Sequence, residues 1–403
     1  MLTTSLTLPC GATLRNRLAK AALTERLSRA DYLPNELHRR LYQSWAEQGP
    51  GLMLTGNIMV DKRYLESAGN VAVEDESALP ALQQWTQAGK ANGQHLWAQL
   101  SHPGRQCSIL VTLRPLAPSA VKLKKLGLFA KPRAMTEAEI EEVIQRFVRT
   151  AGLCKEGGFT GIQIHAAHGY LLSQFLSPRT NRRTDAWGGA LENRARLLMT
   201  ILRETRQALG SDFPIGVKLN SADFQRGGFV EEDALQVVRW LTEAGVDLLE
   251  VSGGTYEHLA FLVMDETGVK ESTRRREAYF LDFARKVRQV SDVPLMVTGG
   301  FRSRSFAEEA LERGELDVIG MGRPFLTEPG QVGAFLGGEL EQFSNLKVRT
   351  GFKNLEDMAE GGFYAKQLIL LARGKALRLD MSPLAAALFV PLHEMWKALG
   401  KRF

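Results

Sequence analysis

The sequence has few cysteines and no long hydrophobic run. Its three cysteines, Cys10, Cys107 and Cys154, are widely spaced and form no C-x-x-C pair, so neither a disulfide framework nor a cysteine metal site is indicated. A cytoplasmic location is therefore expected. The N-terminus lacks the basic start and apolar core of a signal peptide. The longest notable apolar run, residues 384–390, is far below the ~20 residues of a membrane-spanning helix, so membrane insertion is not expected.

Excess charge is also scarce outside the C-terminal tail. Lys and Arg outnumber Asp and Glu by 51 to 45, and residues 347–403 alone hold ten basic and five acidic residues. A nucleic-acid partner is therefore not indicated. Weak peripheral contact of the basic tail with anionic lipid is left open, although its apolar side is better suited to cover the rest of the chain or a subunit neighbour.

Short aliphatic runs recur along the chain, each followed by polar or glycine residues and then by a longer helical pattern. This alternation is typical of β/α units. There are eight such runs: 17–23, 52–60, 95–102, 161–168, 215–220, 247–254, 295–300 and 318–324. Eight strands with crossover helices predict an α/β protein of the (β/α)8 TIM-barrel class, with an open doubly wound sheet as the alternative.

The helical segments support the same interpretation. Residues 136–155 combine an apolar face with a capping box formed by Thr136 and Glu139, and residues 191–209 and 232–244 show similar patterns. No G-x-G-x-x-G follows the first strand, which argues against a Rossmann domain. After the barrel, helical patterns at 355–373 and 384–399 predict that residues 1–330 form the barrel and residues 331–403 a helical C-terminal extension.

Barrel enzymes carry their catalytic groups at the carboxyl ends of the strands, and these ends are polar here. The turns after strands seven and eight contain Gly299, Gly300 and Gly322 with the adjacent Arg323. Glycines let the backbone approach a ligand closely, and many barrels bind phosphate at these two turns. The sequence therefore predicts a phosphate site there.

The stretch H-x-x-H-x-Y, formed by His165, His168 and Tyr170, follows the fourth strand. Two imidazoles there could bind a metal, donate hydrogen bonds to a substrate oxygen, or be satisfied within a loop. A metal is the weaker option because Asn57, Gln99 and Lys218, at nearby strand ends, are hydrogen-bond donors rather than typical metal ligands.

Taken together, these segments closely resemble the Old Yellow Enzyme family of FMN-dependent ene-reductases. The resemblance runs in one order from about Leu14 to Pro329. Its longest part is HAAHGYLLSQFLSPRTNRRTDAWGGALENRARLL, at 165–198, with LRNRLAKAALTE and WAQLSHPGR before it and GVKLN, VSGGTYE, VTGGFRS and GMGRPF after it. It implies a barrel with one non-covalently bound FMN that NADH or NADPH reduces.

The resemblance also implies roles for single residues. Ala21, Ala22, Leu23 and Thr24 would lie along the flavin, Asn57 beside its ring, Gln99 at its pyrimidine edge and Lys218 near N1. Gly299, Gly300, Gly322 and Arg323 would hold the phosphate. His165 and His168 would bind the carbonyl or nitro oxygen of an activated alkene, and Tyr170 would protonate the carbon that does not receive the hydride. Small departures occur, since Ala22 stands where proline is frequent and Gly56-Asn57 where Glu-Ala is frequent.

The expected activity is therefore NAD(P)H-dependent reduction of the C=C bond of small α,β-unsaturated carbonyl or nitro compounds. An amine or demethylating oxidoreductase on the same barrel is an alternative, and a metal-dependent barrel hydrolase using the histidines is a remote one. No cysteine follows Cys154, so the iron–sulfur cluster of larger relatives is not expected. Whether the enzyme is a homo-oligomer is left open.

Overall fold

The computed structural model describes residues 1–124, 128–252, 271–346, 348–349 and 353–400, with only the backbone for 271–279 and 353–354. Eight parallel strands close into a barrel because the first strand pairs with both the second and the last. These strands are β1 (Leu18–Lys20), β2 (Leu52–Met59), β3 (His95–Ser101), β4 (Gly161–Ala166), β5 (Ile215–Asn220), β6 (Leu248–Ser252), β7 (Leu295–Thr298) and β8 (Val318–Met321). The predicted (β/α)8 barrel and all eight strand runs are confirmed.

Helices follow the strands and cover the outside of the barrel. They are α1 (Glu36–Ala46), α2 (Leu79–Gly89), α3 (Glu137–Glu156), α4 (Leu171–Leu176), α5 (Leu191–Leu209), α6 (Glu231–Glu243), α7 (Glu271–Arg288), α8 (Arg304–Glu312), α9 (Pro324–Thr327), α10 (Val332–Gly337), α11 (Lys353–Ala372) and α12 (Pro383–Gly400). The predicted capping box begins α3, where the Thr136 hydroxyl accepts from the Glu139 amide and the Glu139 carboxylate accepts from the Thr136 amide.

The amino-terminal end of the barrel is filled with apolar side chains. A hairpin of Leu6–Thr7 and Thr13–Leu14 brings Leu8 and Leu14 into one cluster with Trp97 and other strand residues. The remaining short strands are Val71–Ala72, Leu116–Ala117 and Arg133–Ala134. Because apolar side chains fill this end, a ligand has access to the polar groups at the carboxyl ends of the strands.

The two C-terminal helices pack on each other and on the barrel. Ala359 and Phe363 of α11 meet Ala386 and Ala387 of α12 in a small buried cluster. The outward face of α12 is apolar; its large exposed side chains are Leu384, Leu388, Leu392, Met395, Trp396 and Leu399. Among the described residues, no helix is long and apolar enough to cross a membrane.

Candidate functional site

The polar residues singled out in the sequence lie together around the carboxyl ends of the strands. Ala21, Ala22, Leu23 and Thr24 follow β1, and Asn57, Gln99, His165 and Lys218 lie in the last part of β2 to β5. His168 and Tyr170 follow β4, Gly299 and Gly300 follow β7, and Gly322 and Arg323 follow β8. Part of the VSGGTYE motif, beyond Ser252, lies outside the described residues.

His165, His168 and Tyr170 form one aromatic cluster. The ring centroids of the two histidines are 5.1 Å apart, and the Tyr170 ring packs edge-on against His165 at 4.8 Å. His165 Nδ1 accepts the amide proton of Ala167 at 3.2 Å, so in the neutral ring the proton lies on Nε2. His165 therefore presents an N–H donor on the side away from its own backbone.

The backbone at His168 is held in an uncommon conformation. Its φ is 58°, in the left-handed region, and its amide donates to Asn220 Oδ1 at 3.1 Å while its ring Nε2 lies 2.7 Å from Ser252 Oγ. Left-handed backbone at a non-glycine residue costs about 1–3 kcal/mol and occurs often at functional sites. Contacts from β5 and β6 thus fix this histidine against β4.

Both histidines are neutral near pH 7. Burial lowers the pKa of each imidazole well below its usual range; the next largest contribution comes from His168 and then Lys218 for His165, and from Lys218 for His168. Neutral imidazoles keep one N–H donor each over the physiological pH range.

Lys218 belongs to a buried polar chain that crosses four strands. Its Nζ lies 2.8 Å from Glu250 Oε1, Gln163 Nε2 donates to Glu250 Oε2 at 2.7 Å, and Gln99 Nε2 donates to Gln163 Oε1 at 2.6 Å. Sequence reasoning missed Gln163 and Glu250. The available signal was a polar residue in the middle of each of the apolar strands GIQIHA and LLEVS.

Thr24 and Asn57 share a partner that the sequence analysis did not identify. The Thr24 hydroxyl donates to Glu66 Oε1 at 2.6 Å, and Asn57 Nδ2 donates to Glu66 Oε2. Glu66 lies in the loop after β2, where no periodic pattern marked it. Asn57 Oδ1 is buried and has no hydrogen-bond partner among the described residues.

Gly56 leaves room for Glu25. A Cβ at Gly56 would lie 2.1 Å from Glu25 Oε2 and 2.4 Å from the Leu23 carbonyl oxygen. Glu25 Oε1 accepts from the Gly56 amide at 2.7 Å and from the Tyr42 hydroxyl at 2.6 Å. The buried carboxylate is therefore supplied from the segment after β1 instead of from β2.

The two glycine turns lie side by side at the ends of β7 and β8. Gly299 and Gly300 have φ values of 108° and 89° and are exposed, and Gly322 is packed beside Leu23. The Arg323 guanidinium lies 3.7 Å from the Glu360 carboxylate and 5.3 Å from the centre of the Tyr364 ring, both on α11. Exposed backbone and one guanidinium suit a phosphate group.

These groups fit the FMN that the resemblance implies. Asn57 Oδ1 suits an imide N–H, and the buried Thr298 hydroxyl near the glycine turns, like Asn57 Oδ1, lacks a partner within the part of the chain that the structure describes. Among the described residues, no three His, Cys, Asp or Glu side chains are grouped as ligands for a metal ion.

Comparison with known proteins gives the same family. Residues 7–333 match the model of the NADH:flavin oxidoreductase / NADH oxidase family. The chain is 40% identical over 347 residues to the NADH-dependent flavin oxidoreductase iliE of Hypocrea jecorina, covering 80% of this chain and 86% of that protein. It is 31% identical over 318 residues to the NADPH dehydrogenase of Bacillus subtilis, covering 79% and 89%.

Solved structures show the same fold. A 2-naphthoyl-CoA reductase in complex with 2-naphthoyl-CoA superposes with a TM-score of 0.77 at 26% identity, covering 84% of this chain and 52% of that one. Morphinone reductase in complex with tetrahydroNAD gives 0.72 at 24% identity, covering 85% and 92%. The chain therefore belongs to the Old Yellow Enzyme family of flavin oxidoreductases, which use FMN together with NADH or NADPH.

Proposed function

We propose that this oxidoreductase reduces the C=C bond of small α,β-unsaturated carbonyl or nitro compounds. The arrangement of two neutral imidazoles 5.1 Å apart with a tyrosine against one of them is the observation that carries this proposal. When bound, FMN would supply the hydride for one carbon of the double bond, with NADH or NADPH as the reductant.

The proposed flavin contacts come from residues that the barrel brings to one rim. Ala21, Ala22 and Leu23 would line the ring, Thr24, Asn57, Gln99 and Lys218 would contact its polar edge, and Gly299, Gly300, Gly322 and Arg323 would hold the phosphate. The buried chain from Gln99 to Lys218 supports this because it fixes the donors before a ligand binds.

The histidines polarise the substrate in this proposal. His165 Nε2–H and the ring of His168 face the substrate oxygen, which gains negative charge as hydride reaches the double bond. Donors that are already oriented stabilise that charge without reorganising. Because both rings are neutral, they donate protons in hydrogen bonds without giving them up.

Tyr170 supplies the second hydrogen as a proton in this scheme. It is 3% exposed and packs on His165, so its position is set by the same loop that sets the donors. Proton transfer to the other carbon of the former double bond completes the addition of one hydride and one proton.

The test is a substrate panel with the FMN-loaded enzyme and both nicotinamides under anaerobic conditions. We expect cyclohexenone and a nitroalkene to be reduced, and His165→Ala to lower kcat/KM for the enone by about 10²–10³. His95→Gln is the matched control, because His95 begins β3 at the opposite end of the barrel. Tyr170→Phe should slow product formation while leaving reduction of the bound FMN by NADH unchanged.

Two results would contradict the proposal. One is an enzyme whose bound FMN is reduced by an amine and that leaves every alkene intact in the presence of NADH or NADPH. The other is equal loss of enone turnover in the His165 and His95 variants.

We also propose that residues 1–330 form the FMN-binding unit and residues 331–403 a helical cover. The free Cys10, Cys107 and Cys154 support a cytoplasmic location.

A further inference from the structure

Glu66 binds two of the residues that we propose to face the flavin, Thr24 and Asn57. Its carboxylate accepts from the Thr24 hydroxyl and from the Asn57 amide. A hydroxyl has one proton, so Thr24 turns oxygen lone pairs toward any other neighbour. The carboxylate thereby fixes which atoms of Thr24 and Asn57 face the flavin, and it places a negative charge next to them.

The residues after Glu66 are held by the C-terminal helix. Ser67 Oγ donates to Glu394 Oε1 at 2.5 Å, and the Ala68 amide donates to Glu394 Oε2 at 2.7 Å. Glu394 lies on α12 and is buried. Both oxygens of the Glu394 carboxylate thus accept hydrogen bonds from the two residues that follow Glu66.

The same helix also holds the loop that follows Thr24. Arg26 Nε lies 3.2 Å from Glu394 Oε1, and Lys397 Nζ donates to the carbonyl oxygens of Leu27 and Ser28 at 3.1 and 2.7 Å. The ring of His393 lies 3.2 Å from the Arg26 carbonyl oxygen. His393, Glu394 and Lys397 share one face of α12 because residues three and four apart are neighbours on a helix.

The two loops touch each other where α12 holds them. A Cβ at Gly69 would lie 2.5 Å from the Arg26 carbonyl carbon, and the Ser28 amide donates to the Gly69 carbonyl oxygen at 3.0 Å. Displacing one loop therefore displaces the other. The contacts with α12 therefore hold both loops together.

We propose that Glu394 is a positioning residue of the flavin site: through Ser67 and Ala68 it holds the Glu66 carboxylate against Thr24 and Asn57, and so lowers the reduction potential of bound FMN. This rests on the flavin position proposed above. Reduction adds negative charge to the flavin, and a fixed carboxylate beside it opposes that change. Releasing Glu66 into solvent would screen its charge and favour the reduced flavin.

The experiment measures the equilibrium between enzyme-bound FMN and a reference dye during anaerobic two-electron reduction, without any alkene. The FMN-loaded wild type is compared with Glu66→Gln, Glu394→Ala, Glu394→Gln and the double variant Glu66→Gln/Glu394→Ala. The controls are Leu392→Ala, which alters an exposed side chain of α12, and Glu141→Gln on the exposed face of α3. FMN content and circular dichroism establish that each variant is folded.

We expect Glu66→Gln to shift the equilibrium about tenfold toward reduced FMN, which corresponds to about 30 mV for a two-electron couple. Glu394→Ala should shift it in the same direction, and Glu394→Gln less, because an amide oxygen still accepts one hydrogen bond. The double variant should shift it no further than Glu66→Gln alone, since Glu394 acts through Glu66. The two controls should stay within twofold of the wild type.

The inference is overturned if Glu394→Ala stays within twofold of the wild type, if its shift adds to that of Glu66→Gln, or if Leu392→Ala gives the same shift. Loss of folded protein in Glu394→Ala leaves the Glu394→Gln comparison to decide, and no shift there overturns the inference as well. Failure of the proposed alkene reduction gives a different result, because the dye equilibrium contains no alkene. A wild type that does not bind FMN would instead refute the flavin position itself.

Discussion

The buried pair of Lys218 and Glu250 predicts strong energetic coupling between β5 and β6. The charged atoms are 2.8 Å apart, and the side chains are 5% and 0% exposed. Neither charge has water to replace a lost partner. Removing either one leaves the other charge buried without its partner, so the cost of removing both should be well below the sum of the two single costs.

The expected sizes follow from what each variant leaves behind. Glu250→Gln leaves the Lys218 ammonium beside a neutral amide, so a cost near the upper end of about 3–5 kcal/mol is expected in the free energy of unfolding. Lys218→Met leaves Glu250 with the hydrogen bond from Gln163 at 2.7 Å, so its cost should be near the lower end. The double variant has no buried charge in the pair, and its cost should fall short of the sum by about 3 kcal/mol.

Urea unfolding of the flavin-free protein measures these values, because a change in FMN affinity then does not enter. Refolding followed by FMN uptake establishes reversibility. Glu231→Gln is the matched control: it breaks a Lys–Glu pair with Lys286 that is exposed at the surface, and it should cost far less than either buried variant. Costs that add within about 0.5 kcal/mol would refute the coupling and show that each side chain is stabilised separately.

Three further changes test other parts of the structure. Gly56→Ala should lower the free energy of unfolding by several kcal/mol, because its Cβ would lie 2.1 Å from Glu25 Oε2; an unchanged melting temperature would contradict the crowding. Gly152 is a helical glycine, and a Cβ added there would meet open space. Gly152→Ala should therefore raise the free energy of unfolding by about 0.5–1 kcal/mol, measured in the same thermal assay. Burial lowers the pKa of His38 to about 3, so the unfolded chain takes up a proton below pH 6.5 that the folded chain does not. His38 therefore removes about 1.4 kcal/mol of stability per pH unit from pH 6.5 toward 3, and His38→Gln should lessen the acid slope of urea unfolding by that amount; parallel slopes would refute it.

The strands could be predicted from the sequence because buried parallel strands form short aliphatic runs between turns. The run at 17–23 nevertheless yields only Leu18–Lys20 as strand: the Ala21 amide still donates to the Met321 carbonyl oxygen at 2.8 Å, and the residues after it leave the sheet. Runs of apolar residues do not show where a strand leaves its neighbours.

Partners of site residues were much harder to predict. Glu250 lies directly opposite Lys218 in the parallel register, but that register follows from barrel closure rather than from either strand. Glu66 lies in an irregular loop, and the two residues that follow it donate hydrogen bonds to Glu394, more than 300 residues later in the chain. Such long-range contacts leave no local periodicity in a sequence.

Closure of the barrel through β1 and β8 also means that β1 lacks one of its two neighbouring strands during much of synthesis. Leu18 pairs with Ile319, so about 300 further residues must be synthesised before β1 can pair with β8. At about 5–20 residues per second, ribosomes need roughly 15–60 s for that stretch. During this interval the nascent chain carries an open sheet edge, a state in which chaperone binding competes with pairing between chains.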